Sequence, residues 1–325
     1  MRRILLVKTS SLGDVVHNLP VVTDVTGRCP GVEIDWAVEE SLADIPPMHP
    51  AVSMVIRVAP RRWRRAFAAP RTWRELGALR ETLAARGYDA VIDTQGLIKS
   101  ALIARLAPGR RYGLDWASAR EPLWPFYDQT LSVSWAVHAV ERNRQLVARA
   151  LGYALPAQVD YGIARPPLPS LDGLRPGAYA VLLHATSASA KLWGEDRWVE
   201  LGQHLRSRGL QLALPWGSER ERRRSDSIAQ RLQEAIVPPP LSLREAAGLL
   251  GHAQVVFGVD TGLTHLSVAL RTPTVGIYCA TDPAATGLYG SGSAVSVGGK
   301  NLAPSAQAVI AAWGDSSPTH GRVPT

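Results

Sequence analysis

The chain has 325 residues, too many for one compact core of ordinary size, so two domains of roughly 150 residues each are expected. No run of about 18 uncharged apolar residues occurs, which argues against a membrane-spanning helix. The two cysteines, Cys29 and Cys279, share no motif or metal-ligand spacing, so a reduced, cytoplasmic setting is expected. A net charge of +8 calls for an anionic partner.

The chain opens on Met1-Arg2-Arg3 and a four-residue apolar run, which is too short for a signal peptide and suits a buried strand at 4–7. That strand breaks into Lys8-Thr9-Ser10-Ser11-Leu12-Gly13-Asp14 before a helical pattern over 15–26. Asp14 is a natural N-cap, a role as well supported by its position as a catalytic one. Small residues around it would let a substrate approach. Further strands are expected at 33–38, 52–58 and 90–93, with helices over 72–86, 98–106 and 139–151.

No acidic residue stands between Asp44 and Glu75, while Arg57, Arg61, Arg62, Arg64, Arg65, Arg71 and Arg74 crowd there, interleaved with Trp63, Phe67 and Trp73. Charge runs are commonly plain solvated surface. The one-sided density and the aromatics point instead to an anionic ligand or membrane surface, and arginine forks suit phosphate. Nucleic acid stays open at this point, although no recognised binding motif accompanies the patch.

A Pro-rich interval over 156–176 reads as an interdomain linker. Beyond it, strands are expected at 179–183, 211–214, near Ile236, 255–259 and 274–278. Helices fit 195–208, 219–233, 243–252, 266–270 and 305–313. The expected division is 1–160, a linker at 161–178, a second domain at 179–313 and a disordered tail at 314–325. Alternating strands and helices give an α/β fold of two Rossmann-like domains with parallel sheets, expected to face each other across a cleft.

Several chemistries lack their motifs. There is no G-x-G-x-x-G after the first strand, no Walker loop, no G-x-S-x-G elbow, no Asp-x-Asp pair and no zinc spacing. A metal-independent reaction on a phosphorylated donor survives. The apolar run Val255–Val259 stops at Asp260-Thr261-Gly262-Leu263-Thr264-His265, so free N–H groups and the helix dipole would favour a diphosphate there. His184-Ala185-Thr186-Ser187-Ala188-Ser189-Ala190-Lys191 supplies hydroxyls and a lysine at another strand end. Glu221 could take ribose hydroxyls or merely complement its helix dipole. His265 could touch a phosphate or satisfy a buried backbone group.

Val7-Lys8-Thr9-Ser10-Ser11-Leu12-Gly13-Asp14-Val15-Val16-His17-Asn18-Leu19-Pro20 resembles the opening of the lipopolysaccharide heptosyltransferases, glycosyltransferase family 9. Asp93-Thr94-Gln95-Gly96, His138-Ala139-Val140-Glu141-Arg142, Leu214-Pro215-Trp216-Gly217 and Val259–His265 extend the likeness up to about Trp313. The resemblance implies an inverting GT-B enzyme that needs no cofactor or metal. Its donor would be ADP-L-glycero-β-D-manno-heptose and its acceptor Kdo2-lipid A.

By the same likeness, Asp14 would be the general base, while Thr186, Ser187 and Lys191 would hold the donor phosphates, with Lys191 offsetting charge on departing ADP. Thr261 and Gly262 would offer amides, Glu221 would bind the ribose, and Asp260 and His265 would lie near the sugar. Arg61, Arg62, Arg64, Arg65 and Arg120, with Ser10 and Gly13, would meet the acceptor. Ser187 replaces a threonine common in relatives, and Ala188-Ser189-Ala190 is less charged than the corresponding family stretch. The expected protein is a monomer that contacts the cytoplasmic membrane peripherally, through Trp63 and Phe67, and binds no nucleic acid. The alternatives are an enzyme acting on a heptosylated core, or a non-catalytic basic protein on anionic lipid or nucleic acid.

Overall fold

The computed structural model describes residues 1–290 and 294–316. It divides into two compact units, Met1–Ala164 and Arg165–Thr325. In the first unit the elements are β1 (Arg3–Val7), α1 (Leu12–Val16), α2 (Leu19–Arg28), β2 (Glu33–Glu39), β3 (Val52–Val58), α3 (Pro60–Arg65), α4 (Pro70–Arg86), β4 (Ala90–Asp93), α5 (Ile98–Leu106), β5 (Arg110–Leu114), β6 (Gln129–Leu131) and α6 (Ala139–Leu151). All six strands are parallel, in the order β3-β2-β1-β4-β5-β6. This is the strand order of a dinucleotide-binding fold, which reverses direction between β1 and β4.

The helix expected over 15–26 is two helices. Pro20 has no N–H to give the carbonyl of Val16, so the ladder breaks and restarts at Leu19. The first of these helices starts earlier than expected, at Leu12, so Asp14 lies inside α1, three residues past its N-cap Ser11, rather than at the cap itself. On one face of the sheet α2 packs on α6, where Arg144 donates to Asp24 at 2.7 Å with both side chains buried. Removing either partner would strand a buried charge, at a cost of about 3–5 kcal/mol. On the other face, Leu79 and Leu83 of α4 share one cluster with Ile103 and Ala104 of α5 and with Leu5, Val7 and Val91 of the sheet.

The second unit contains β7 (Tyr179–Leu183), α7 (Glu195–Ser207), β8 (Gln211–Ala213), α8 (Glu219–Leu232), α9 (Leu243–Gly251), β9 (Val255–Val259), α10 (Gly262–Ala269), β10 (Thr274–Tyr278), α11 (Pro283–Thr286), β11 (Ala294–Gly298) and α12 (Ala306–Ser316). Its parallel strands run β11-β10-β9-β7-β8, so the order switches between β7 and β9. Ile236 makes only an isolated bridge to Ala213. Helix α12 continues three residues past Trp313, and the rest of the expected tail lies outside the described residues.

The Pro-rich stretch forms no helix or strand, yet two adjacent residues near its middle are fastened, one within each unit. Ala164 donates to the Met48 carbonyl in the first unit, at 3.0 Å. In the second unit Arg165 donates to the Leu270 carbonyl at 3.0 Å. A Cβ on Gly248 of α9 would come within 2.1 Å of the Pro167 carbonyl oxygen, so that residue has to be glycine for the strap to lie flat.

Candidate active site

In parallel α/β sheets, ligands bind beyond the carboxyl ends of strands where the strand order reverses. In the first unit that point lies between the loops after β1 and β4, and a dense polar network joins them. Gln95 accepts from the backbone N–H groups of Thr9 and Ser10, at 2.8 and 3.0 Å, fixing the β1 loop against the β4 loop. Lys99, near the start of α5, donates to the Ser10 hydroxyl at 2.6 Å. Lys8 is buried and donates to the Thr94 carbonyl at 2.7 Å and to Asn143 at 3.2 Å. Burial lowers the pKa of both lysines, while nearby carboxylates, Asp14 among them, oppose the shift.

Asp14 is half-buried. Its Oδ2 accepts from the Ser11 backbone N–H and from the Ser11 hydroxyl, both at 2.8 Å. The carboxylate therefore closes the first turn of α1, while Lys8 and Lys99 surround it with positive charge. Asp93 sits below, fully buried. Burial raises its pKa against hydrogen bonds from Tyr127 and from the amides of Gln95 and Gly96.

The basic cluster sorts into separate fates. Arg61, Arg64 and Arg65 are exposed on α3, whereas Ser10 is buried and Gly13 half-buried in the loop and helix start after β1. Arg62 is taken up by Glu40 at 3.0 Å and Glu75 at 2.8 Å. Trp63 is buried and donates to Glu75 at 2.8 Å, so it is withdrawn from any surface contact. Phe67 is exposed and stacks edge-on against the exposed Trp73, with ring centres 4.9 Å apart. Arg120 lies 5.6 Å from the Trp135 ring, which Arg142 covers at 3.5 Å.

In the second unit the loops after β7 and β9 meet. Lys191 donates to Asp260 Oδ2 at 2.7 Å, and Thr281 donates to the same oxygen at 2.7 Å. His265 Nε2 lies 3.7 Å from Oδ1. Burial would raise the Asp260 pKa, but His265, Lys191 and Thr281 hold it well below the usual carboxylate range. Thr186 donates to the Asp260 carbonyl at 3.3 Å, tying the two loops together. Thr261 is the N-cap of α10 and Gly262 its first residue. A Cβ on Gly258 would strike the Thr264 hydroxyl at 2.2 Å, so this helix sits tight on β9.

Thr186, Ser187 and Glu221 line one pocket of ≈ 460 Å³, a size suited to a nucleotide. Glu221 accepts from the Gly217 N–H at 2.7 Å, stiffening the β8 loop. Arg220, Arg223 and Arg224 of α8 also line this pocket. Sequence reasoning gave no site role to these arginines, nor to Gln95, Lys99, Arg142 and Thr281. Gln95 and Lys99 were findable, since they follow a strand that borders the reversal point.

A model of glycosyltransferase family 9 (heptosyltransferase) matches residues 76–310. The chain belongs to that family. It is 47% identical over 296 residues to lipopolysaccharide heptosyltransferase 1 of Escherichia coli K12, covering 90% of this chain and 92% of that one. The solved E. coli heptosyltransferase WaaC with ADP superposes with a TM-score of 0.90 at 43% identity, over 97% of this chain and all of that one. The same enzyme with ADP-2-deoxy-2-fluoro heptose gives 0.88, at the same identity and coverage. The two parallel sheets are thus the Rossmann-like domains of a GT-B heptosyltransferase, with the family match running from α4 to α12.

Proposed function

We propose that the protein moves L-glycero-D-manno-heptose from ADP-L-glycero-β-D-manno-heptose to a Kdo hydroxyl of Kdo2-lipid A, with inversion, in building the lipopolysaccharide inner core. The observation that carries this is the β7–β9 crevice, where Lys191, Thr186 and a helix start converge on one point in a chain so similar to an enzyme solved with ADP. The first unit is the acceptor side and the second the donor side.

Asp14 accepts the proton of the Kdo hydroxyl as its oxygen attacks the anomeric carbon. The bond to the diphosphate breaks on the opposite face, and ADP leaves. An ordinary carboxylate is a weak base, so position supplies much of its effect. Lys191, the Thr186 and Ser187 hydroxyls and the amides of Thr261 and Gly262 offset charge as it grows on the leaving group. Glu221 takes the ribose hydroxyls, while Asp260 and His265 flank the sugar. Arg61, Arg64, Arg65 and Arg120 hold the phosphates and carboxylates of the acceptor, beside Ser10 and Gly13.

Among the described residues no helix is long and apolar enough to cross a membrane. The lipid acceptor is reached by peripheral contact, with Phe67 and Trp73 beside the arginines of α3. The test is to mix purified protein with ADP-heptose and Kdo2-lipid A and follow ADP release and product mass. One added heptose on heptose-free acceptor is expected. Activity confined to an already heptosylated core would move the protein to a later step, and no ADP release with either acceptor would end the proposal.

A further inference from the structure

Apolar exposure is divided unevenly between the units. Phe67, Trp73, Trp116, Trp124 and Trp135 are all exposed in the first unit, whereas among the described residues Leu302 is the only large hydrophobic exposed in the second. We propose that the outer face of α5 and the turn after β5 form a contact surface for an anionic bilayer, with Ile98, Leu102 and Trp124 as its apolar ridge. This rests on the reading of a lipid-anchored acceptor and adds a surface which that reading does not require.

The ridge follows from helix geometry. Ile98 and Leu102 are one turn apart on α5, 41% and 53% exposed. The opposite face of α5 sends Ile103 and Ala104 into the core, while the outer face meets the segment between β5 and β6, where Glu121 accepts from the Ile98 N–H at 2.6 Å, and leaves the Ile98 and Leu102 side chains to solvent. Trp124, 59% exposed, opens the 3-10 turn Trp124–Phe126 that packs on α5. That turn is anchored from beneath by Leu123 and Tyr127, which cluster with Ala101. A water-facing helix surface is ordinarily polar, so a ridge of this kind marks a binding surface.

Charge selects the occupant. Arg105, one turn beyond Leu102, donates to the Pro125 carbonyl at 3.4 Å and is exposed. Helix α4 covers the same side of the sheet as α5, since both fill one core cluster, and the exposed Phe67–Trp73 pair stands at its start beside Arg64 and Arg65. Aromatics flanked by arginines suit the headgroup layer of an anionic leaflet, rings in the acyl boundary and guanidinium groups on phosphate. Both helices begin at the carboxyl edge of the sheet, the edge that carries Asp14, so a bilayer there would lie beside the acceptor crevice.

The experiment compares full-length L102Q/W124Q with wild type by flotation on vesicles of phosphatidylglycerol mixed with phosphatidylcholine, and on phosphatidylcholine alone. Wild type should float with the anionic vesicles, and the double variant should partition about tenfold less at an unchanged melting temperature. L302Q should behave as wild type. Transfer to vesicle-embedded Kdo2-lipid A should drop in the double variant, while transfer to its deacylated, water-soluble form stays level. Equal flotation of variant and wild type overturns the proposal. So does light scattering that shows the substitutions turning a dimer into monomers with flotation intact, because the ridge would then be a self-association face. If wild type transfers heptose to neither acceptor, the enzymatic reading fails and flotation alone judges the surface.

Discussion

Lys191 and Asp260 meet at 2.7 Å, across the two loops where the second sheet reverses its strand order. The pair does more than join loops. Asp260 stays ionised because His265, Lys191 and Thr281 outweigh the penalty of its burial, and in return it holds the ammonium group at the meeting of the two loops. Lys191→Ala removes the charge that the proposed reaction sets against the diphosphate. Turnover should fall by about 10²–10³-fold, the range seen when one preorganised charge-stabilising donor is lost. ADP affinity, measured by calorimetry, should weaken with it. Unchanged kinetics would return Lys191 to a surface loop.

Asp14→Asn separates the proposed role as base from the capping contacts of the same side chain. The amide oxygen can still accept from the Ser11 N–H and hydroxyl, so α1 keeps its first turn. What it cannot do is take a proton. The expected outcome is a loss of turnover of about 10²–10⁴-fold with ADP binding and melting temperature close to wild type. A large fall in melting temperature with modest loss of turnover would make Asp14 a capping residue only.

The amino-acid pattern disclosed the centre of each sheet better than its edges. Val255–Val259 and Tyr179–Leu183 are buried along their whole length and read as continuous apolar runs. By contrast β5 begins with Arg110-Arg111 and β6 is three residues at the margin, so neither carries a hydrophobic signal. The loops of the second unit were legible for the same reason as its strands, because Asp260 and Lys191 follow abrupt ends of apolar runs. The partners of a charge were not. That Arg62 is spoken for by Glu40 and Glu75, and that Trp63 hides its indole against Glu75, depends on α3 folding over α4, which spacing along the chain does not encode.

Those partners divide the arginines of α3 by function. Arg61, Arg64 and Arg65 are exposed and available to acceptor phosphates, so neutralising them together should raise the acceptor KM several-fold and leave the donor KM unchanged. Arg62→Ala should instead lower the melting temperature, since it frees Glu40 and Glu75 from their shared cation. Acceptor KM and thermal denaturation, measured on both variants, decide the assignment. A loss of donor affinity in the triple variant would place the patch on the wrong substrate.

His184 makes stability depend on acid. It is buried at the end of β7 with Nε2 2.8 Å from the Ser225 hydroxyl. Burial, reinforced by the Arg224 charge, pushes its pKa down from 6.5 to about 3. The unfolded chain therefore takes up a proton that the folded one refuses throughout the interval between those values. The contribution of the neutral imidazole is complete above pH 6.5 and erodes as pH falls toward 3, by about 1.4 kcal/mol per pH unit within that window. Replacing His184 with Leu removes the titrating group, so unfolding free energies measured at pH 7 and pH 5 should differ less in the variant than in wild type. Parallel pH profiles for the two proteins would mean that the folded imidazole takes up its proton over the same interval as the unfolded one, and that burial leaves its pKa in place.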